Sequence, residues 1–308
     1  MVASLEIRKD VGMKIVVSGA SGLLGDSLVK RLRHEGHDVT RLIRRPARAA
    51  DEATWNPQRG ELDPELLAGV DAVVNLSGAG LFGKRWSTSY KREIRSSRVD
   101  ATTTIAKAIA AAKPRPRVLL NASGIHFYGD TGDRIVDETS PSGTGFMPET
   151  AVVWEAATQP AADAGARVVL LRTAPVLSAR DGMLKQMLLP FRLGIGGKLG
   201  SGRQYMSWIS LADWVSAVVF LLDHEVAGPV NITSPHPVTN AEFTRMFASV
   251  LHRPAVMPVP AFGLRLVLGE VSMIALDSLR VVPRVLTEQG FQFQHPELKP
   301  ALMWALRN

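Results

Sequence analysis

The stretch Lys14-Ile15-Val16-Val17-Ser18-Gly19-Ala20-Ser21-Gly22-Leu23-Leu24-Gly25 decides the fold. A short apolar run leads into three glycines spaced GxxGxxG, and an amphipathic segment follows. Ile15, Val16 and Val17 read as a strand buried on both faces, as in a parallel sheet. Leu24, Leu28 and Leu32 recur every four residues, which predicts a helix with one apolar stripe, and Gly36 is placed to end it. Val39 to Ile43 reads as a second strand and completes a βαβ unit. This order aims free backbone N–H groups and the positive end of a helix at a phosphate. Gly19 permits the tight turn, Gly22 lets a pyrophosphate approach the backbone, and Gly25 lets the helix pack on the sheet. With Ser21, Leu23 and Leu24 between them, these residues form the first half of a predicted dinucleotide site.

The tip of the second strand chooses the dinucleotide. A site for NAD usually carries an Asp or Glu there for the ribose 2′-hydroxyl. Here the tip reads Leu42-Ile43-Arg44-Arg45-Pro46, without an acid. Arginine forks bind phosphate well. The expectation is therefore NADP(H), with Arg44 as the first 2′-phosphate ligand and Arg45 as the second.

The chain has 308 residues, 46% hydrophobic and 21% charged, which fits a globular protein of one or two domains. No apolar run is long enough to predict a membrane span. Met1 to Gly12 is polar, lacks an apolar signal core and reads as an extension before Met13. With no cysteine, disulfides and thiolate chemistry are excluded, and a cytoplasmic location is expected. The net charge of +7 raises the question of nucleic acid. The basic residues are scattered, however, as Arg31, Arg92, Arg172 and Arg245 illustrate, and anionic small molecules account for the charge equally well. The expected partner is thus a small-molecule substrate, with neither nucleic acid nor membrane, and the expected state is a monomer or a homodimer. His34, His37, His224 and His236 show no ligand spacing with carboxylates, so no metal site is expected. His34 and His37 flank a helix-ending glycine and should face solvent.

Strands and helices alternate through the first 175 or so residues, the pattern of a parallel α/β sheet. Asp71 to Leu76, Val118 to Asn121 and Val168 to Arg172 are further strands, and Arg92 to Ala112 is a long helix. Ligands in such sheets sit beyond the carboxyl ends of the strands, so Ser77, Gly78, Ser123, Pro175 and Val176 should line one crevice. The Gly-rich run from Leu193 to Gly202 lacks a P-loop ending and reads as a lid or a plain connection. Asp213 to His224 should be a helix. Asn240 is the expected N-cap of a helix from Ala241 to Leu251. Pro254, Pro258 and Pro260 mark a linker. The expected organisation is a dinucleotide-binding domain over 13–176, with segments returning from 205–235. A smaller substrate-side region over 177–308 follows, mainly helical from about 254.

These stretches resemble the extended or atypical short-chain dehydrogenase/reductases. More narrowly, the chain is similar to the nucleoside-diphosphate-sugar epimerase-like branch with a C-terminal domain of unknown function. The resemblance rests on Ser18 to Gly25, Val74-Asn75-Leu76-Ser77-Gly78, Arg95-Ser96-Ser97-Arg98 and Leu171-Arg172-Thr173. It continues through Met187 to Gly194, Ser207-Trp208-Ile209 and Thr239 to Phe243, and spans roughly Met13 to Leu306. It implies a Rossmann-type doubly wound parallel sheet carrying NADP(H), and a C-terminal part closing over a substrate cleft. By the same resemblance Leu76 and Ser77 line the adenine ribose side, Arg98 and Glu93 sit near the cofactor from the long helix, and Val176 touches the nicotinamide end.

The catalyst of that family is a Tyr with a Lys four residues later, the Lys lowering the tyrosine pKa for proton exchange. Only three tyrosines occur, and Ile94, Gly132 and Ile209 follow Tyr90, Tyr128 and Tyr205 at that spacing. Thr150 and Trp154 stand where the pair belongs. Ser123, matching the family's serine, Tyr128 in the loop after it, and Glu155 are the candidate catalytic residues. His126 is a further titratable neighbour that equally reads as structural. Two functions remain open: an NADP(H)-dependent oxidoreductase or epimerase-like enzyme on a small polar substrate, and an NADP(H)-binding sensor or assembly protein without turnover.

Overall fold

The computed structural model describes residues 12–82 and 84–308, so the polar extension lies outside the described residues except for Gly12. The chain begins with β1 (Lys14–Ser18), α1 (Leu23–His34), β2 (Asp38–Ile43), β3 (Glu52–Thr54), β4 (Ala72–Asn75) and α2 (Thr88–Ala111). Next come β5 (Val118–Gly124), β6 (Ile135–Val136), α3 (Phe146–Ala156), α4 (Gln159–Asp163), β7 (Arg167–Thr173), β8 (Val176–Leu177) and α5 (Gly182–Arg192). The returning part holds β9 (Tyr205–Met206), β10 (Ile209–Ser210), α6 (Leu211–Asp223), β11 (Gly228–Ile232), β12 (Val238–Thr239) and α7 (Asn240–Leu251). The C-terminal part adds α8 (Ala261–Leu268), α9 (Met273–Leu276), β13 (Arg280–Val281), α10 (Arg284–Glu288) and α11 (Leu298–Ala305).

Seven strands form one sheet in the order β11-β7-β5-β4-β1-β2-β3, every neighbouring pair parallel. The alternation of β1 separates the two cores, because successive side chains point to opposite faces. Ile15 and Val17 pack with Leu28 and Leu32 of α1 and Trp214 and Leu221 of α6. Val16 packs on the other face with Ile105 and Ile109 of α2 and Ala161 of α4. A sheet covered on both faces is the doubly wound architecture that the buried strands predict. A third core joins Leu184, Leu188 and Phe191 of α5, Phe243 and Phe247 of α7, and Ala301 and Leu302 of α11 around Trp208.

Several local expectations are corrected. The long helix starts one turn earlier, at Thr88, because the Ser87 hydroxyl accepts from the Tyr90 N–H at 3.2 Å and caps it. Thr239, not Asn240, is the N-cap of α7: it forms a capping box with Glu242. Asn240 instead accepts from the Leu199 N–H at 2.8 Å and so pins the Gly-rich run. The proline-rich segment is no free linker, since Ala255 and Val259 bridge to Ile195 and Leu199 of that run. His34 is exposed as expected, but His37 is partly buried and its Nδ1 accepts from the Met13 N–H at 3.1 Å.

Candidate functional site

The crevice lies beyond the carboxyl ends of β1, β4, β5 and β7, and the first turn of α1 forms one end of it. Gly22 occupies the N-cap position without a side-chain hydrogen bond, so no side chain competes for the N–H groups of that turn. Ser21 and Gly22 are exposed, and Leu23 and Leu24 are partly so. Gly19 has φ +69°, and a Cβ there would meet the Leu76 carbonyl oxygen at 2.6 Å. A Cβ on Gly25 would run into the Gly19 carbonyl oxygen. The backbone can make this turn only without side chains at those two positions. Ser77 holds the neighbouring strand end in place: its hydroxyl donates to Ser18 Oγ at 3.0 Å, and Ser18 donates to Asn75 Oδ1 at 2.6 Å.

The two arginines at the tip of β2 differ. Arg45 donates to both carboxylate oxygens of Glu52, at 2.9 and 2.7 Å. Arg44 is exposed and makes no ion pair among the described residues. Farther along the crevice, Gly78 faces Arg98 so closely that a Cβ would lie 3.2 Å from Arg98 Cγ. Arg98 is only 8% exposed, lies with its Cζ 5.1 Å from the centre of the Trp154 ring, and donates from Nη1 to the Ile94 carbonyl at 2.9 Å. Burial pulls its guanidinium down to about 10. Glu93 is exposed on the same helix, and Pro175 and Val176 are partly buried at the end of β7.

Ser123, Tyr128 and Glu155 come together, and they do so around Arg172. All four side chains are buried. Ser123 Oγ donates to Glu155 Oε1 at 2.6 Å, while Arg172 grips the same carboxylate from Nε and Nη2 at 2.9 and 2.8 Å. Arg172 Nη1 donates to the Tyr128 hydroxyl at 3.0 Å, which passes its own proton donor to Asn231 Oδ1 at 2.8 Å. The guanidinium Cζ lies over the Phe127 ring, 3.4 Å from its centre. Burial alone lowers Arg172, and the Glu155 carboxylate more than offsets this, leaving it above its ordinary value. Burial raises the Tyr128 phenol against the pull of Arg172. Asp213 stays out of this cluster and does not pair with Arg172. Asp213 instead accepts from the N–H groups of Gln294 and His295, at 2.6 and 3.0 Å.

The positions of the missing Tyr and Lys are filled by structural side chains. Thr150 Oγ1 accepts from Arg95 Nε at 3.4 Å. Trp154 Nε1 donates to Thr102 Oγ1 at 2.9 Å, and Thr102 donates on to Asn121 Oδ1 at 3.1 Å. His126 follows β5 with its Nε2 out of solvent and unpartnered among the described residues. Burial, helped by the Arg98 charge, lowers it to about 4, so the ring is neutral at neutral pH. Sequence reading did not find the role of Arg172 as the centre of this cluster. Its partners lie 17 and 44 positions away in the chain and form no local motif.

A family model described as the NAD dependent epimerase/dehydratase family matches residues 15–233, and one described as a domain of unknown function (DUF1731) matches residues 259–305. An epimerase family protein of Mycobacterium bovis is 45% identical over 293 residues, covering 94% of this chain and 97% of its own. The crystal structure of the human epimerase family protein SDR39U1 with NADPH superposes with a TM-score of 0.89 at 33% identity, covering 96% of this chain and 100% of that one. The nucleoside-diphosphate sugar epimerase of Corynebacterium glutamicum is 31% identical with a TM-score of 0.78, covering 96% of this chain and 58% of that one. Among the described residues no helix is long and apolar enough to cross a membrane. With a doubly wound sheet, a glycine-cradled first turn and matches that run through nearly its whole length, the chain belongs to the NAD dependent epimerase/dehydratase family.

Proposed function

We propose that the protein is an NADP(H)-dependent oxidoreductase or epimerase-like enzyme acting on a small polar substrate. The observation that carries this is the first turn of α1: a tight turn in which Gly19 and Gly25 leave no room for a Cβ, with backbone N–H groups that no side chain caps. That arrangement fits a pyrophosphate, and the NADPH in the human relative supports the same reading. Gly19, Ser21, Gly22, Leu23, Leu24 and Gly25 hold the pyrophosphate. Arg44, free of ion pairs among the described residues, takes the 2′-phosphate ahead of Arg45, which is engaged by Glu52. Leu76, Ser77 and Gly78 face the adenine ribose side, Glu93 and Arg98 approach from α2, and Pro175 and Val176 border the nicotinamide end. The dinucleotide would supply or accept the hydride.

The chain's own residues hold and exclude. Arg98 is a buried cation without a carboxylate partner among the described residues, so an oxygen-rich ligand at its open face would offset a costly desolvation. Ser123, Tyr128 and Glu155 act as positioning residues, clamping the end of β5 to β7 through Arg172. The rival reading, NADP(H) binding without turnover, draws on Thr150 and Trp154 in place of the proton-exchanging pair. Calorimetric titration with NADPH and then NADH tests the binding, with NADPH expected to bind more tightly. No binding of either overturns the proposal. An NADPH-binding protein that turns over no substrate favours the rival. Ser123→Ala and Tyr128→Phe are expected to retain NADPH binding and lose part of any turnover.

A further inference from the structure

A cavity of about 680 Å³ opens next to the crevice, between the loop after β5 and the segment around α9. Its size suits a small-molecule ligand. His126, Arg134 and Met147 line it from the N-terminal part, and Met273, Asp277 and Leu279 line it from the region matched only as a domain of unknown function. His126 begins this loop at the carboxyl end of β5, where substrates of such sheets lie. Three of the lining groups lack partners among the described residues. The His126 imidazole makes no hydrogen bond through Nε2. Arg134 is exposed and makes no ion pair. No donor reaches the partly buried Asp277 carboxyl, which is governed by burial, by the nearby Asp130 charge and by a weaker opposing pull from Arg265. Asp130 itself is held in place, accepting from the N–H groups of Gly132 and Ser278 at 3.0 and 3.1 Å.

Resting on the proposed function, we infer that this cavity is the substrate site, that it takes a small oxo acid or the matching hydroxy acid, and that Asp277 is its proton donor and acceptor. Arg134 at the rim meets the ligand's carboxylate, because guanidinium is the best-matched fork for it. In reduction, the carbonyl carbon gains a hydride from the reduced nicotinamide and the C=O electron pair moves onto oxygen. That oxygen takes the proton of the Asp277 carboxylic acid, and water reprotonates the carboxylate. Oxidation runs the same steps in reverse. Burial first, and the Asp130 carboxylate second, raise Asp277 to about 6. The acid form therefore prevails below that pH and the base form above it.

The test uses the full chain with pyruvate and 2-oxoglutarate as probes and acetone as an uncharged ketone. Calorimetry on NADP⁺-loaded protein should detect binding of the oxo acids, not of acetone, and Arg134→Ala should weaken it roughly tenfold. NADPH oxidation by the bound oxo acid should slow as pH rises through about 6. Asp277→Asn should lower that rate about a hundredfold, flatten the pH profile and leave NADPH affinity unchanged. An infrared titration without substrate should show one carboxyl band near pH 6 that Asp277→Asn removes. The inference is overturned if neither oxo acid binds to protein that does bind NADPH, or if Asp277→Asn keeps the full rate and pH profile. Failure to bind NADPH at all would count against the proposed function instead.

Discussion

At one end of the crevice, the first turn of α1 presents backbone N–H groups that no side chain caps. At the other, Ser123, Tyr128, Glu155 and Arg172 use their donors and acceptors on one another. Both are polar and both sit at strand ends. They differ in what completes them: the turn leaves donors for a ligand, and the cluster is already satisfied by the chain. A polar residue at a strand end is therefore not by that fact a contact to substrate, and the distinguishing observation is whether its hydrogen bonds are already made.

The comparison breaks most sharply at Glu155. Glu155→Ala leaves a buried guanidinium facing a lost carboxylate, and should cost about 3–5 kcal/mol of stability in denaturant unfolding. A loss under about 1 kcal/mol would mean that the cluster is not closed as described. A second break comes from acid. His126 has its folded value near 4, below the unfolded value of about 6.5. Its contribution to stability is complete above about 6.5 and is lost as pH falls toward about 4. His126→Asn should flatten that part of the stability curve, and an unchanged curve would refute the burial argument.

The open end is sharpened by the arginines. Arg44→Ala should weaken NADPH binding by roughly tenfold or more and leave NADH binding as it was, since a hydrogen bond to a charged group is worth about 1.5–3 kcal/mol. Arg45→Ala should do less, because Glu52 already holds that side chain; equal losses from both would erase the distinction drawn between them. The smallest effect belongs to a cap far from the crevice. Thr239→Ala should cost about 1 kcal/mol in thermal or denaturant unfolding without altering cofactor affinity. The Thr239 N–H and hydroxyl hold Glu242 below its ordinary value, so the capping-box contribution is present at neutral pH and lost as pH falls through the lowered value.

Sequence made the open end legible because its chemistry is local. Gly19, Gly22 and Gly25 lie within seven residues, and the apolar period of Leu24, Leu28 and Leu32 places the helix behind them. Most strands of the sheet followed from runs too apolar to face solvent, whereas the edge strand β3, Glu52-Ala53-Thr54, carries no such run. The closed end was legible only as a set of names. Ser123, Tyr128 and Glu155 were singled out, but Arg172 was not placed among them, because pairing across four strand and helix ends leaves no periodic trace. The α2 start and the α7 cap were misplaced by one turn and one residue for a smaller reason. Ser87 and Thr239 are short hydroxyl side chains whose capping shows only in their hydrogen bonds.

One stitched seam has a consequence for how the protein is made. Thr131 donates from its N–H and its hydroxyl to the Ser278 carbonyl, at 2.7 and 3.0 Å, and β6 pairs in parallel with β13. The loop that follows β5 is thus completed by residues that leave the ribosome almost 150 positions later. During synthesis the sheet around β1 can assemble while this wall of the cavity still lacks its other half. Translation must pass Val281 before the cavity exists, so a nascent chain that stops short of it would carry a folded nucleotide crevice beside an unformed pocket.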